Sequence, residues 1–146
     1  MMVDDVITRL GEQVEDLAGR VQGALELAEL IRRDALPQSP IAAFVCPTGL
    51  VARSDGDASA GAFTQMIDDM LAVVLVMRKA GDVRGAKVRL ELDTLIWAVI
   101  EALSGWGPDD AIGVLALRRG ALVSLTAGTA FYQLDFAIQE QIRILS

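Results

Sequence analysis

The chain has 146 residues, 53% of them hydrophobic, with a formal net charge of −7, one cysteine and no histidine. That length can bury a core as one domain without covalent staples, and the lone Cys46 excludes an intrachain disulfide. The acidic balance argues against general binding to DNA or RNA, and the missing histidine removes the commonest general base, the commonest metal ligand and every Ser-His-Asp or Cys-His arrangement.

The first residues, MMVDDVITRLGEQ, are acidic and interrupted by charge, which is not the pattern of a secretory leader. Asp4 or Asp5 is placed to cap a short helix that carries Val6, Ile7 and Leu10 on one face, with Gly11 near its end. The glycine-punctuated DLAGRVQGA that follows reads as an extended segment. ALELAELIRR then puts Leu27, Leu30 and Ile31 on one helical face, with Arg32 and Arg33 at the favourable C-terminal end. Leu36-Pro37 and Ser39-Pro40 close this region, because a residue before proline avoids the helical conformation.

IAAFVCP, residues 41–47, is short, apolar and bounded by prolines, so it predicts a strand. SDGDASAGA, residues 54–62, is small, polar and glycine-bearing and predicts a mobile surface loop. Residues 63–77, FTQMIDDMLAVVLVM, predict one long strand whose valine-rich half is buried on both faces. Its apolar run, residues 70–77, is far short of the roughly twenty residues that a membrane helix needs. KAGDVRGA is a turn with two glycines.

From Lys87 to Leu103 the periodicity is the clearest in the chain. Val88, Leu92, Leu95, Ile96, Val99, Ile100 and Leu103 recur at spacings of three and four, which predicts an amphipathic helix packed on a sheet. GVLALRRGALVSL reads as a hairpin turning at Arg119-Gly120. Residues 129–145 alternate, with Tyr132, Leu134, Phe136, Ile138, Ile142 and Ile144 on one face, broken by Glu140, and Gln133, Asp135, Gln139, Gln141 and Arg143 on the other. A helical reading also collects Leu134, Ala137, Ile138, Ile142 and Leu145, but the aromatic FYQLDF and the longer alternation favour a strand. The expected fold is α+β: a mostly antiparallel, or mixed, sheet of four to five strands with helices packed on one face, in one domain over 1–146.

Few residues carry chemistry. Asp55 and Asp57 have the spacing of a divalent-cation pair, but the further oxygen ligands of a calcium loop are missing, so a solvated loop is the better reading. Asp68 and Asp69 are strand neighbours whose side chains point to opposite faces, so they cannot form a carboxylate pair. Cys46 lacks a basic neighbour and reads as a small hydrophobe. GDVRGAK lacks the frame and the trailing Lys-Ser/Thr of a phosphate loop. Arg118 and Arg119 suit an exposed hairpin tip, or a grip on a phosphate or carboxylate. In ALSGWGPDD, Gly105, Trp106 and Pro108 fit a structural joint after the main helix better than a partner anchor. No catalytic, cofactor or metal residue is expected.

Three segments together resemble the tail terminator proteins of long-tailed bacteriophages. They are RVQGALELAEL running into LPQSPIAAFVCPTGL, then AGAFTQMIDDMLAVVLVMR, then the long helix with LSGWGPDD, LALRRGALVSL and FYQLDFAIQE. The resemblance implies a virion structural protein rather than an enzyme: a ring, usually of six subunits, on the head-proximal end of the tail tube. The ring stops tube polymerisation and presents the surface on which the neck docks, and genomic DNA passes through its lumen without specific binding. The implied partners are further copies of the chain, the tail tube protein and a head-tail connector, with no membrane. Arg53, Asp55, Asp57, Arg118 and Arg119 are the expected partner-facing residues, and the loop from Arg53 to Ser59 is expected to order on contact. The rival readings are another neck or head-completion ring, a carboxylate-dependent metal enzyme using Asp55 and Asp57, and a generic small-ligand domain with an apolar pocket.

Overall fold

A computed structural model describes residues 2–79, 81 and 86–145. Helix α1 (Met2–Gln13) leads through a 3-10 turn at Glu15–Leu17 into the short strand β1 (Val21–Gly23) and helix α2 (Ala24–Arg32). Strands β2 (Ile41–Ala52), β3 (Asp57–Ser59) and β4 (Ala62–Arg78) follow, then helix α3 (Ala86–Leu103) and strands β5 (Ala116–Thr126) and β6 (Thr129–Leu145). The fold is α+β, with one six-stranded sheet in the order β1-β2-β4-β6-β5 and β3 on β4. Among the described residues only β1 and β2 run parallel, and every other pair is antiparallel.

The long helix and the last strand are where periodicity places them. Val88, Leu92, Leu95, Val99 and Leu103 are buried, and Ile96 and Ile100 pack beside them. They meet Leu71, Val73, Leu75 and Met77 of β4 and Leu134, Phe136 and Ile138 of β6, with Val6 and Leu10 of α1 completing the core. Alternation along β4 and β6 is uninterrupted, because their register runs unbroken from Ala62↔Leu145 to Arg78↔Thr129. The opposite face of the same strands is also apolar at one end. There Ala42, Phe44 and Val76 form a second cluster with Leu27 and Leu30 of α2. Two helices therefore cover one face, and α2 covers an end of the other.

Length explains what remains bare. A helix of 18 residues spans about 27 Å, whereas strands of 17 residues span about 56 Å. Burial in β4 accordingly begins at Leu71, and residues 62–70 are half-buried on both faces. The outer halves of β4 and β6, with the end of β2 and with β3, form a ribbon that no helix covers.

Several expectations change. Arg119-Gly120 is no turn: residues 116–126 are one edge strand with register shifts at Leu117/Arg119 and Leu122/Ser124. Gly120 is needed instead for close approach, since a Cβ there would meet the Tyr132 hydroxyl and the Leu134 side chain. The reversal comes at Ala127-Gly128, both at positive φ (50° and 80°), the geometry of a two-residue hairpin turn. The mobile loop is also shorter than predicted. Asp57, Ala58 and Ser59 pair with Thr64, Phe63 and Ala62 around a second such turn at Ala60-Gly61. The strand predicted over residues 41–47, β2, runs beyond Pro47 to Ala52 through an irregularity between Pro47 and Gly49. Asp4 and Asp5 lie inside the first turn of α1 rather than capping it, where their charge still favours the helix N-terminus. Most of the expected turn over residues 79–86, with GDVRGAK, lies outside the described residues.

Candidate interaction surface

Strand pairing assembles a charged cluster from three distant parts of the chain. Asp68 lies on the β4 face that carries α2 at its other end, opposite Val51 of β2 and Gln139 of β6. Arg53 leaves the end of β2, where its backbone N–H still donates to the Met66 carbonyl. Arg118 is the extra residue at the first irregularity of β5, so its side chain can reach across β6. Both arginines donate to Asp68: Arg53 Nη1 to Oδ1 and Arg118 Nη2 to Oδ2, each at 3.2 Å. The carboxylate is only 14% exposed, against 44% and 48% for the two arginines. One buried-side anion thus holds two cations at the surface, and donors on each guanidinium stay free for a further acceptor. Arg119 lies opposite Asp135 on the same face but makes no ion pair among the described residues; Asp135 accepts from Gln133 Nε2 at 2.8 Å instead.

Beside this cluster the link from β2 to β3 is tied down. Gln65 Nε2 donates to the Ser54 carbonyl at 2.8 Å, and Met66 N–H donates to Ser54 Oγ at 3.3 Å. Gly56, at φ 89°, lies under the Phe63 ring, where no side chain fits. Asp55 and Asp57 line a shallow concavity of about 190 Å³ together with Thr64, Gln65, Met66 and Gln141. Among the described residues, no three cysteine or carboxylate side chains converge in the manner of a metal site.

Asp69 points to the other face, opposite Ile138 of β6 and Leu50 of β2. Burial raises its carboxyl pKa above the ordinary value. Burial likewise pushes the Cys46 thiol up, and Cys46 packs against the cluster under α2 as a small hydrophobe.

The GWGP segment lies between α3 and β5. Gly105 takes φ 78° just past α3, and its N–H donates to the Leu115 carbonyl at 2.9 Å. Leu115 N–H returns to the Trp106 carbonyl at 2.8 Å, so helix exit and β5 entry are clasped. The Arg9 guanidinium lies 5.1 Å from the Trp106 ring centroid, and its Nε donates to the Ala102 carbonyl at 2.9 Å. Pro108 closes the turn by accepting from Ala111 N–H at 3.0 Å. Sequence reasoning missed the exposed aromatic residue of the chain's other tryptophan: Trp97 stands on the outer side of α3 with Leu90. It also missed Asp68 as the hub of Arg53 and Arg118, which lie 15 and 50 residues away.

No helix among the described residues is long and apolar enough to cross a membrane. No curated protein matches the chain at a significant level. The family model described as phage tail terminator protein, however, matches residues 1–146, the whole length. The chain therefore belongs to the phage tail terminator family.

Proposed function

We infer that the chain, as a family member, is a structural component of the phage virion that meets other tail and head proteins. We propose that it closes a six-membered ring on the head-proximal end of the tail tube, stops tube growth there and offers the outer surface to the neck. The match over all 146 residues carries this reading. Two features support it. The uncovered half of the sheet supplies apolar side chains, Leu50, Val51, Ile144 and Leu145, that suit subunit contacts. The opposite patches needed by a closing head-to-tail ring are available on a sheet whose two faces and two edges all differ.

The net charge of −7 suits a lumen that DNA must traverse, because repulsion keeps the duplex off the wall. Arg53, Arg118 and Arg119 then form a local basic patch, with Asp55 and Asp57 beside it, for a charged surface of the tube or neck. The test is native mass spectrometry with and without tail tube protein, alongside tail lengths in phage lacking the chain. A six-copy ring on tubes and overlong tails in its absence are expected. Normal tails without it, or binding to the portal rather than the tube, overturn the reading.

A further inference from the structure

The uncovered ribbon has two open edges on opposite sides. On one side, β5 ends its pairing with β6 at Ala116↔Ala137, and Gly113 lies against Gln139. Beyond that, among the described residues, 140–145 of β6 bond only to β4. On the other side, among the described residues, β1 covers β2 only at residues 43–45, and residues 49–52 bond only to β4. An open edge is a template for another strand, and proteins usually blunt it with proline, lysine, bulges or a covering element. The outer edge of β5 is blunted in this way by two irregularities and by Arg118 and Arg119. Residues 140–145, QIRIL after Glu140, carry no proline, no lysine and no register shift. Apolar side chains crowd both open edges: Ile144 and Leu145 are 60% and 72% exposed on one, Leu50 and Val51 67% and 54% on the other.

Resting on the ring reading above, we infer that these two edges join: residues 140–145 of one copy pair with residues 49–52 of the next. The two edges differ, so the contact is head-to-tail, and its repetition leaves neither of these two edges open once the circle closes. Direction follows from topology. β2 and β6 are both antiparallel to β4, hence parallel to each other, and rotation about a ring axis preserves that relation. The joined strands therefore run parallel. Partner side chains in register share a face, so Val51 meets Gln141 or Arg143, which lie on its face, and not Ile142, which lies on the other.

Cysteine pairing tests this on the full chain in a Cys46→Ala background, alone and on assembled tails. Val51→Cys is combined in turn with Gln141→Cys, Arg143→Cys or Ile142→Cys, the first three positions exposed and Ile142 half-buried, with melting curves to confirm folding. One of the first two pairs should give an oxidised ladder of covalent oligomers ending at the ring size, while the Ile142→Cys pair stays at least tenfold less cross-linked. In parallel, the amides of residues 140–145 should exchange at least tenfold more slowly in the ring than in the monomer. Rings that form without cross-links and without this protection overturn the edge pairing and leave the ring reading standing. Monomers under every condition overturn both.

Discussion

Asp69 shows how one side chain can oppose the fold it belongs to. Its carboxyl titrates above the ordinary value of 3.8 because burial disfavours the charge. Below 3.8 the group is protonated in both folded and unfolded chains and costs nothing. As pH rises through the raised folded value, the unfolded chain ionises more readily and stability falls. Asp69→Asn should therefore raise the melting temperature at neutral pH, with the gain vanishing below the ordinary carboxylate value; an equal gain at all pH values would contradict this. Ala127 is a second local misfit, a non-glycine residue at φ 50° in the position where hairpin turns favour Asn or Asp. Ala127→Asn should stabilise the chain by about 0.5–1 kcal/mol, read from chemical denaturation. The same change at Ala121, inside β5, serves as the control.

At the scale of elements, the joint between α3 and β5 is held by backbone rather than by chemistry. A Cβ on Gly107 would collide with the carbonyl of Gly113. Gly107→Ala should cost about 2 kcal/mol, with near-ultraviolet dichroism of Trp106 reporting the disturbed ring. The Asp68 cluster joins β2, β4 and β5 in the uncovered half of the sheet. Its arginines are half exposed, so Asp68→Asn should cost only about 1 kcal/mol and less at high salt. Hydrogen exchange is the sharper measurement: residues 49–54 and 116–119 should exchange faster while α3 stays unchanged. Uniform acceleration across the chain would mean that the cluster supports the whole fold.

For the whole molecule, the decisive contrast is between a covered and an uncovered half of one sheet. Phe136 is fully buried where α1 and α3 lie over the strands. Phe136→Ala should cost about 3–5 kcal/mol, seen as a large drop in denaturation midpoint. Ile144→Ala, in the uncovered half, should change monomer stability by less than about 0.5 kcal/mol and act on assembly instead. A substantial loss of monomer stability there would place Ile144 in the core rather than at an interface.

Sequence alone determined the α+β class, α3 and β4, because these elements repeat their apolar residues over many turns or pleats; for β6 the aromatic FYQLDF and the length of the alternation decided against a helical reading. It also placed Asp68 and Asp69 on opposite faces, since a strand leaves no other choice. DLAGRVQGA read as extended and contains β1, but three residues are too few for periodicity to give that strand's partner or direction, and a glycine admitted for close packing, Gly120, was indistinguishable from one admitted for a turn. The meeting of Arg53, Asp68 and Arg118, and the open edges at residues 49–52 and 140–145, were decided only by tertiary structure. They depend on which strands lie side by side and where each stops pairing. Local propensity carries no information about that, because register is set by the packing of a whole sheet under its helices.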